Sequence, residues 1–260
     1  MEPSSASKFY HLHDFDHENF LQTFVSPTID EMIFKEIIIF PMEIYPKIVK
    51  PGKTLIDCCL GPVISHLLPV VDYFSEIIIL EPNDTSFREL QKWMDKDEGS
   101  LDSSQTSSFM AEWGVLRNNL KEKEESLRKK ITSIAKFDLC KENPTEPYIA
   151  PKADCFICGY LLDHISHDKE TYCKYMKKLA SLIEPGGQLI LAGMFDVKLC
   201  TIAEQKFHAL SYDEEFLRQA LAEAGFRIDY FKRMESNVQN QNIMQYGHVW
   251  IVGAIKEKEI

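Results

Sequence analysis

Two apolar runs of the sequence each carry an acidic residue near their end, and the interval between them suits binding of a nucleotide. Asp57 lies in the run TLIDCC at 54–59, just before Gly61, and Glu81 ends the run EIIILE at 76–81. In dinucleotide-binding sheets, an acid about 20 residues after the glycine turn accepts hydrogen bonds from a ribose diol. This turn carries one glycine where such turns usually carry two or three, so the pattern alone is weak evidence.

Thiol and imidazole side chains form two further groups. Cys155 and Cys158 make a CxxC pair inside the apolar run ADCFICGYLL, and the segment DHISHD at 163–168 follows it. A buried strand places residues three apart on opposite faces, which favours core thiols over a redox or zinc pair. Adjacent donors without a helical frame do not converge on one ion, so the second segment is interpreted as a loop. We expect reduced cysteines and no metal site.

Strand-like apolar runs alternate with helical patterns through the chain. This alternation predicts an α/β fold with a largely parallel sheet and helices on both faces. The predicted strands are 54–59, 76–81, 153–158 and 188–194, and the predicted helices are 63–73, 85–95, 122–130 and 169–183. A polar surface loop is predicted at 97–108. After a helix at 212–224, strands at 226–233 and 248–256 lack a long crossover and are predicted to be antiparallel.

The chain begins with two helical patterns, at 15–25 and 29–40, and a linker at 46–53 leads from them into the sheet. A length of 260 residues suits one α/β domain. We therefore expect a single domain, with an N-terminal helical cap at 1–50 and a core at 51–260.

Charge and composition oppose several classes of partner. The formal net charge of −11 argues against nucleic acid, which requires a basic face, and favours a neutral or cationic ligand. The most apolar runs are far shorter than the roughly 20 residues that span a bilayer. The first residues include an acid and no apolar signal segment. We expect a cytoplasmic protein without membrane association.

A Pro-Gly-Gly break at 185–187 separates a helical pattern from an apolar strand. With the acid and glycine pattern, this order resembles class I S-adenosylmethionine-dependent methyltransferases. Several short sequence segments are similar to those of the nicotinamide, indolethylamine and phenylethanolamine N-methyltransferase family: FDHENF (15–20), LIDCCLGP (55–62), EKEESLR (122–128), LIEPGG (182–187), EQKF (204–207) and AGF (224–226). The resemblance implies a Rossmann-like sheet of seven strands, S-adenosyl-L-methionine as cofactor, and methyl transfer to the nitrogen of a small amine or pyridine.

The resemblance implies that the first turn lines the methionine part of the cofactor, through Cys59, Leu60 and Gly61. Relatives usually show Gly-Ser-Gly here, and tyrosines at the positions of Phe20, Val25 and Ser65. Each lost hydroxyl removes a donor to the cofactor's carboxylate, worth about 1.5–3 kcal/mol. The backbone amide of Leu60 can still donate. Two interpretations follow: an active N-methyltransferase, which we favour, or a non-catalytic member that senses a ligand or binds a partner.

Further roles are implied by the same resemblance. Glu81 would bind the ribose, and Asp138 and Leu139, in the segment KFDLC, would lie at the adenine. Gly159 and Tyr160 would pass beneath the transferred methyl group. The adenosine half of the site is therefore expected to be more complete than the methionine half.

The segment GMFDV at 193–197 bears on the acceptor. Relatives that act on nicotinamide tend to carry an acid at the position of Gly193 and a hydroxyl at that of Val197. Relatives that act on phenylethanolamines show a glycine followed three places later by an acid, as in Gly193 and Asp196. A carboxylate at Asp196 would orient an amine; the alternative is a solvated turn acid. We predict a monomer that prefers aliphatic or aromatic amines to nicotinamide.

Overall fold

A seven-stranded sheet forms the centre of the protein. The computed structural model describes residues 7–97, 120–202 and 204–257. The strands of this sheet are β1 (Thr54–Asp57), β2 (Glu76–Glu81), β3 (Ile131–Lys136), β4 (Ala153–Gly159), β5 (Ile183–Phe195), β8 (Phe226–Glu235) and β10 (His248–Lys256). Their spatial order is β3-β2-β1-β4-β5-β10-β8.

One strand of the sheet runs against the others. β1 pairs in parallel with β2 and β4, β2 pairs in parallel with β3, and β4 pairs in parallel with β5. β10 is antiparallel to both of its neighbours, β5 and β8. The predicted Rossmann-like α/β fold with an antiparallel last strand is confirmed. Because the other strands are parallel, their carboxyl ends share one edge, where open sheets of this kind bind ligands.

Helices surround the sheet, and the longer ones bury apolar residues at helical spacing. The described α-helices are His17–Phe24, Glu31–Phe34, Phe40–Ile48, Asp84–Asp95, Leu120–Lys130, Leu161–Ile165, Lys169–Ser181 and Glu214–Glu223. The long helix before β5 illustrates the pattern, since Tyr172, Met176 and Leu179 recur at helical spacing and are buried. Its first turn is capped by the Asp168 side chain, which accepts from the Thr171 amide.

The N-terminal helices pack over the carboxyl edge of the sheet together with a second, small sheet. That sheet consists of β6 (Leu199–Ile202), β7 (Gln205–Lys206) and β9 (Met244–Gln245). The Lys8 amide donates to the Lys206 carbonyl over 2.9 Å, which anchors the start of the described chain to β7. The predicted boundary of a cap at residue 50 stays a prediction.

Two local predictions are wrong. Residues 63–73 do not form one helix; they form two short 3-10 turns, Ser65–Leu67 and Val71–Tyr73. Pro69 explains the break, because it lacks an amide donor and its ring clashes with the preceding turn. The linker at 46–53 begins later than predicted, since the helix Phe40–Ile48 continues through Pro46.

Other predictions are confirmed or refined. Cys155 and Cys158 are buried core thiols in β4. Gly186 has the predicted positive φ, +80°, but the Pro-Gly-Gly segment lies within β5 at a register shift against β4 rather than in a separate turn. Most of the predicted loop at 97–108 lies outside the described residues. Within the described part of the chain, no helix combines the length and apolar character needed to cross a bilayer.

Candidate active site at the carboxyl edge of the sheet

Three neighbouring strands end at the centre of this edge. Asp57 is the last residue of β1, Glu81 of β2 and Gly159 of β4. β1 lies between the other two strands, so their ends are adjacent. The structure thus brings together Asp57, the predicted ribose-binding Glu81, and Gly159, which is predicted to lie beneath the transferred methyl group.

Glu81 is a buried carboxyl group, 1% exposed. Its Oε1 accepts from the Tyr10 hydroxyl over 3.1 Å and from the Asn83 amide over 2.7 Å. Burial raises the pKa of Glu81 to about 8, although both hydrogen bonds oppose the rise. A buried acceptor at the end of the second strand is the feature that a ribose diol requires.

Tyr10 is a site residue that sequence reasoning missed. Besides Glu81, its hydroxyl lies 2.7 Å from Ser86 Oγ and accepts from the Gly61 amide over 2.9 Å. One phenol therefore joins the first turn to β2 and to the helix after it. An isolated tyrosine in a segment without periodicity gave no signal of this role.

Phe20 packs directly on the turn. Gly61 has φ +85°, and a Cβ built there would lie 2.3 Å from Cζ of Phe20. The turn therefore requires glycine both for its backbone and for this close approach. Phe20 reaches the predicted region of the cofactor's methionine part without supplying a hydrogen-bond donor.

Cys59 and Leu60 connect the turn to the end of β4. Cys59 Sγ donates to Asp57 Oδ1 over 3.2 Å and accepts from the Gly159 amide over 3.1 Å. The Leu60 amide donates to the Gly159 carbonyl over 2.9 Å. The expectation that this amide remains available for a ligand therefore does not hold in this arrangement, because it is already paired.

Tyr160 lies between β4 and the short helix Leu161–Ile165, as the N-cap of that helix. Its backbone is left-handed, with φ +59°, and its hydroxyl donates to the Ile37 carbonyl over 3.2 Å. The side chain thus bridges the carboxyl edge of the sheet and the N-terminal layer, next to Gly159.

Asp138 and Leu139 lie in the loop after β3, the strand beside β2. The Phe137 amide donates to the Glu81 carbonyl over 3.3 Å, which places this loop next to the ribose candidate. Asp138 is half-buried, and its Oδ1 accepts from the Cys140 amide over 2.8 Å. Leu139 is buried, with 3% exposure.

A mostly apolar cavity of about 60 Å³ lies between this edge and the N-terminal layer. Its lining includes neither a carboxylate nor a lysine or arginine among the residues that the structure describes. The lining residues are Phe20, Phe24, Val25, Ile37, Ile38, Pro41, Tyr45, Cys59, Leu60, Val63, His66, Gly159, Tyr160, His164, Met194, Cys200 and Met244.

His164 is the second site residue that sequence reasoning did not assign. Its Nδ1 lies 2.7 Å from the Tyr160 carbonyl, so Nδ1 carries the proton and Nε2 has a free lone pair. Nε2 is buried and has no hydrogen-bond partner within the described ranges. Burial lowers the pKa of His164 to about 4, which keeps the ring neutral at physiological pH.

Asp196 does not line the cavity. It is exposed, has φ +57°, and lies in the turn after β5, against Gly247. The buried acid in this region is Asp163, which accepts from the Tyr212 hydroxyl over 2.6 Å and whose pKa burial raises to about 7. The role of Asp196 in amine binding stays a prediction.

Known proteins resemble this chain over most of its length. The model of the NNMT/PNMT/TEMT family matches residues 4–257. Human nicotinamide N-methyltransferase is 30% identical over 236 residues, covering 89% of each chain. Rabbit (Oryctolagus cuniculus) indolethylamine N-methyltransferase is 29% identical over 198 residues, covering 75% of each.

A solved structure shows the same fold. The magnesium protoporphyrin IX methyltransferase of Synechocystis with bound SAM superposes with a TM-score of 0.53 and 14% identity, covering 92% of this chain and 90% of that one. None of these findings favours the non-catalytic interpretation. Because the family model covers nearly the whole chain, this protein belongs to the NNMT/PNMT/TEMT family of S-adenosylmethionine-dependent N-methyltransferases.

Proposed function

We propose that this enzyme transfers the methyl group of S-adenosylmethionine to the nitrogen of a small aliphatic or aromatic amine. The observation that supports this most is the cavity between the carboxyl edge of the sheet and the N-terminal layer, where none of the described lining residues is an acid, a lysine or an arginine. An apolar enclosure disfavours the ammonium form of an amine, and only the neutral form has a lone pair for attack. Proximity and orientation then supply most of the catalysis.

The residues at the strand ends fit the adenosine half of the cofactor. Glu81 is the proposed acceptor for the ribose hydroxyls, with Asp138 and Leu139 beside it for the adenine. Cys59, Leu60 and Gly61 would lie along the methionine part. When bound, S-adenosylmethionine supplies an electrophilic methyl group on a sulfonium.

The N-terminal segment is expected to shift when the cofactor binds. The cavity of about 60 Å³ is far below the roughly 300–1,000 Å³ of pockets that enclose small-molecule ligands. Phe20 and Phe24 are among the side chains that fill the space, and Tyr10 already donates to Glu81. We infer that the phenol of Tyr10 yields or shares this carboxylate with the ribose.

His164 is the proposed partner of the acceptor amine. An amine N–H that donates to the free Nε2 would leave the nitrogen lone pair directed elsewhere, toward the methyl carbon. In the transfer, the N–C bond forms as the C–S bond breaks, and the bonding pair leaves on sulfur. The product ammonium then loses a proton to water.

The preference for amines over nicotinamide has support at the end of β5. A Cβ at Gly193 would lie 2.5 Å from Cζ2 of Trp250, so this position cannot hold the acid that relatives acting on nicotinamide tend to carry. Val197 is buried and apolar. Asp196 remains the proposed carboxylate outside the cavity that attracts a cationic amine before it loses its proton.

Three further expectations remain proposals: a monomer, cytoplasmic location and no binding of nucleic acid. The net charge of −11 supports the last of these.

An assay with labelled S-adenosylmethionine tests the acceptor assignment, using tryptamine, phenylethanolamine and nicotinamide. We expect His164→Ala to lower kcat/KM for the best amine by roughly tenfold, the value of one hydrogen bond of about 1.4 kcal/mol, with cofactor affinity unchanged. His167→Ala, which replaces an exposed histidine three residues further along the chain, is the matched control. Faster turnover of nicotinamide than of any amine would overturn the substrate preference, and undiminished turnover by His164→Ala would remove His164 from the site.

A further inference from the structure

Three metal-ligating side chains converge beneath the first turn. Asp57, Cys59 and His66 each offer one ligand atom, and these atoms all lie within 4.8 Å of one another. His66 Nε2 lies 2.8 Å from Asp57 Oδ1, and Cys59 Sγ lies 3.2 Å from the same oxygen. Among the described residues this is the one group of three or more histidine, cysteine or acidic side chains with that geometry.

The local fold explains why these side chains meet. Asp57 ends β1, Cys59 follows it in the turn, and His66 lies in the 3-10 turn Ser65–Leu67. The Gly159 amide donates a hydrogen bond to the Cys59 sulfur. The sequence predicted a continuous helix over 63–73, and that prediction did not indicate that His66 lies beside Asp57. The three donors are spread from position 57 to position 66 of the chain, so a search for clusters of adjacent donors did not reveal them.

We propose that Asp57, Cys59 and His66 form a zinc site. The donor set of one thiolate, one imidazole and one carboxylate is a combination that zinc binds. Tetrahedral zinc at about 2.0–2.3 Å from its ligands separates neighbouring donors by roughly 3.3–3.8 Å. The observed contacts of 2.8 and 3.2 Å therefore need to open by about half an ångström to admit the ion.

Two of the three donor residues lie at the cavity described above. Cys59 and His66 both line it, whereas Asp57 does not. Zinc sites with three protein ligands keep one exchangeable position for water or another small donor. Two anionic ligands also balance the charge of the ion, so the bound cluster is neutral, as burial favours. Because Cys59 is also proposed to lie along the methionine part of the cofactor, a bound ion and the cofactor would share this turn.

Binding has a defined proton balance. The Cys59 thiol donates its proton to Asp57 in the structure, and that proton is released when sulfur ligates zinc. We therefore expect the apparent zinc affinity to increase with pH.

Titration of the metal-stripped full-length protein with cobalt(II) and then zinc(II) tests the proposal. We expect one cobalt per chain with a thiolate-to-cobalt charge-transfer band, and displacement of the cobalt by zinc. Cys59→Ser should abolish the band, and His66→Gln should weaken zinc binding by more than the roughly 10–100-fold that outer partners of a metal site are worth. Cys200→Ser, a buried thiol of the same cavity, is the matched control and should keep the band.

Several outcomes of the titration would contradict a zinc site at Asp57, Cys59 and His66. Absence of stoichiometric binding to the folded parent protein, or binding without a thiolate band, would overturn it. Retention of the band in Cys59→Ser, or equal loss in Cys200→Ser, would place the ion elsewhere. Circular dichroism of each variant shows that it is folded, and Asp57→Asn gives an independent variant in which zinc affinity must also fall.

Discussion

A buried carboxyl group is the most unusual single residue of the site. Glu81 was predictable from its place after the second apolar run, but its pKa near 8 was not, because burial depends on the distant Tyr10. Cys59 shows the same division. The sequence shows that a cysteine stands where relatives usually carry glycine, but its contacts with Asp57 and Gly159 depend on how the turn folds.

Replacement of Glu81 by Gln tests its buried state through the pH dependence of stability. The folded pKa of about 8 exceeds the ordinary value of 4.5, so the native state keeps this proton longer than the unfolded chain. The stabilisation is complete below pH 4.5 and is lost as pH rises to about 8, by at most about 5 kcal/mol. Glu81→Gln should remove that loss, as measured by urea unfolding at a series of pH values.

The exposed Glu142 provides the control for that experiment. Glu142→Gln should follow the parent curve. Parallel curves for the parent and Glu81→Gln would show that Glu81 is ionised in both states.

The close approach of Gly61 and Phe20 gives a second test at the residue scale. In Gly61→Ala the alanine must adopt the left-handed backbone of the turn, which lowers the free energy of unfolding by about 1–3 kcal/mol. Overpacking of its methyl group against Phe20 lowers it further, by about 1–3 kcal/mol. Gly186→Ala is a matched control, because its φ is +80° but a Cβ there meets nothing within 4 Å. Thermal unfolding should therefore show a larger loss for Gly61→Ala; equal losses would mean that Phe20 moves away without cost.

At the scale of elements, most strands of the large sheet were predicted from the sequence. The contacts that hold the N-terminal layer in place were not. Runs such as EIIILE and ADCFIC identify buried parallel strands because both of their faces are apolar. By contrast, Ile131–Lys136 is a strand of mixed burial at the edge of the sheet, and its pattern gave no comparable signal. The segment 63–73 has apolar residues at helical spacing, but Pro69 lacks an amide donor and divides it into two 3-10 turns.

Asp30 fastens the N-terminal layer to the loop before β9. Its Oδ1 caps the helix Glu31–Phe34, and its Oδ2 accepts from the amides of Gln239 and Asn240. Asp30→Ala should cost about 2–4 kcal/mol, the sum of a lost cap and lost charged hydrogen bonds. Asp16→Ala, which removes the exposed cap of the helix His17–Phe24, should cost only about 0.5–2 kcal/mol.

Urea unfolding of the two variants gives both values. A loss for Asp30→Ala no larger than that for Asp16→Ala would show that the bonds to 239 and 240 contribute nothing beyond the cap.

For the whole molecule, the alternation of strands and helices was enough to predict the sheet and the edge at which we propose that the cofactor binds. The sequence segments that resemble the family led to the prediction of an N-methyltransferase, which the family match over residues 4–257 confirms. Sequence could not predict the cavity, because its walls come from the N-terminal layer, the ends of β1, β4 and β5, and the small sheet. Such a surface exists only after long-range packing, and this is why His164 and Tyr10 were missed.

Transfer of a labelled methyl group from S-adenosylmethionine to an amine nitrogen tests the central claim most directly. We predict a labelled N-methyl product and an equal amount of S-adenosylhomocysteine with at least one amine of the panel. Glu81→Ala should weaken cofactor binding by roughly 1–3 kcal/mol, the cost of leaving buried groups unpaired. No labelled product with any amine or pyridine, from folded protein at saturating cofactor, would contradict the account.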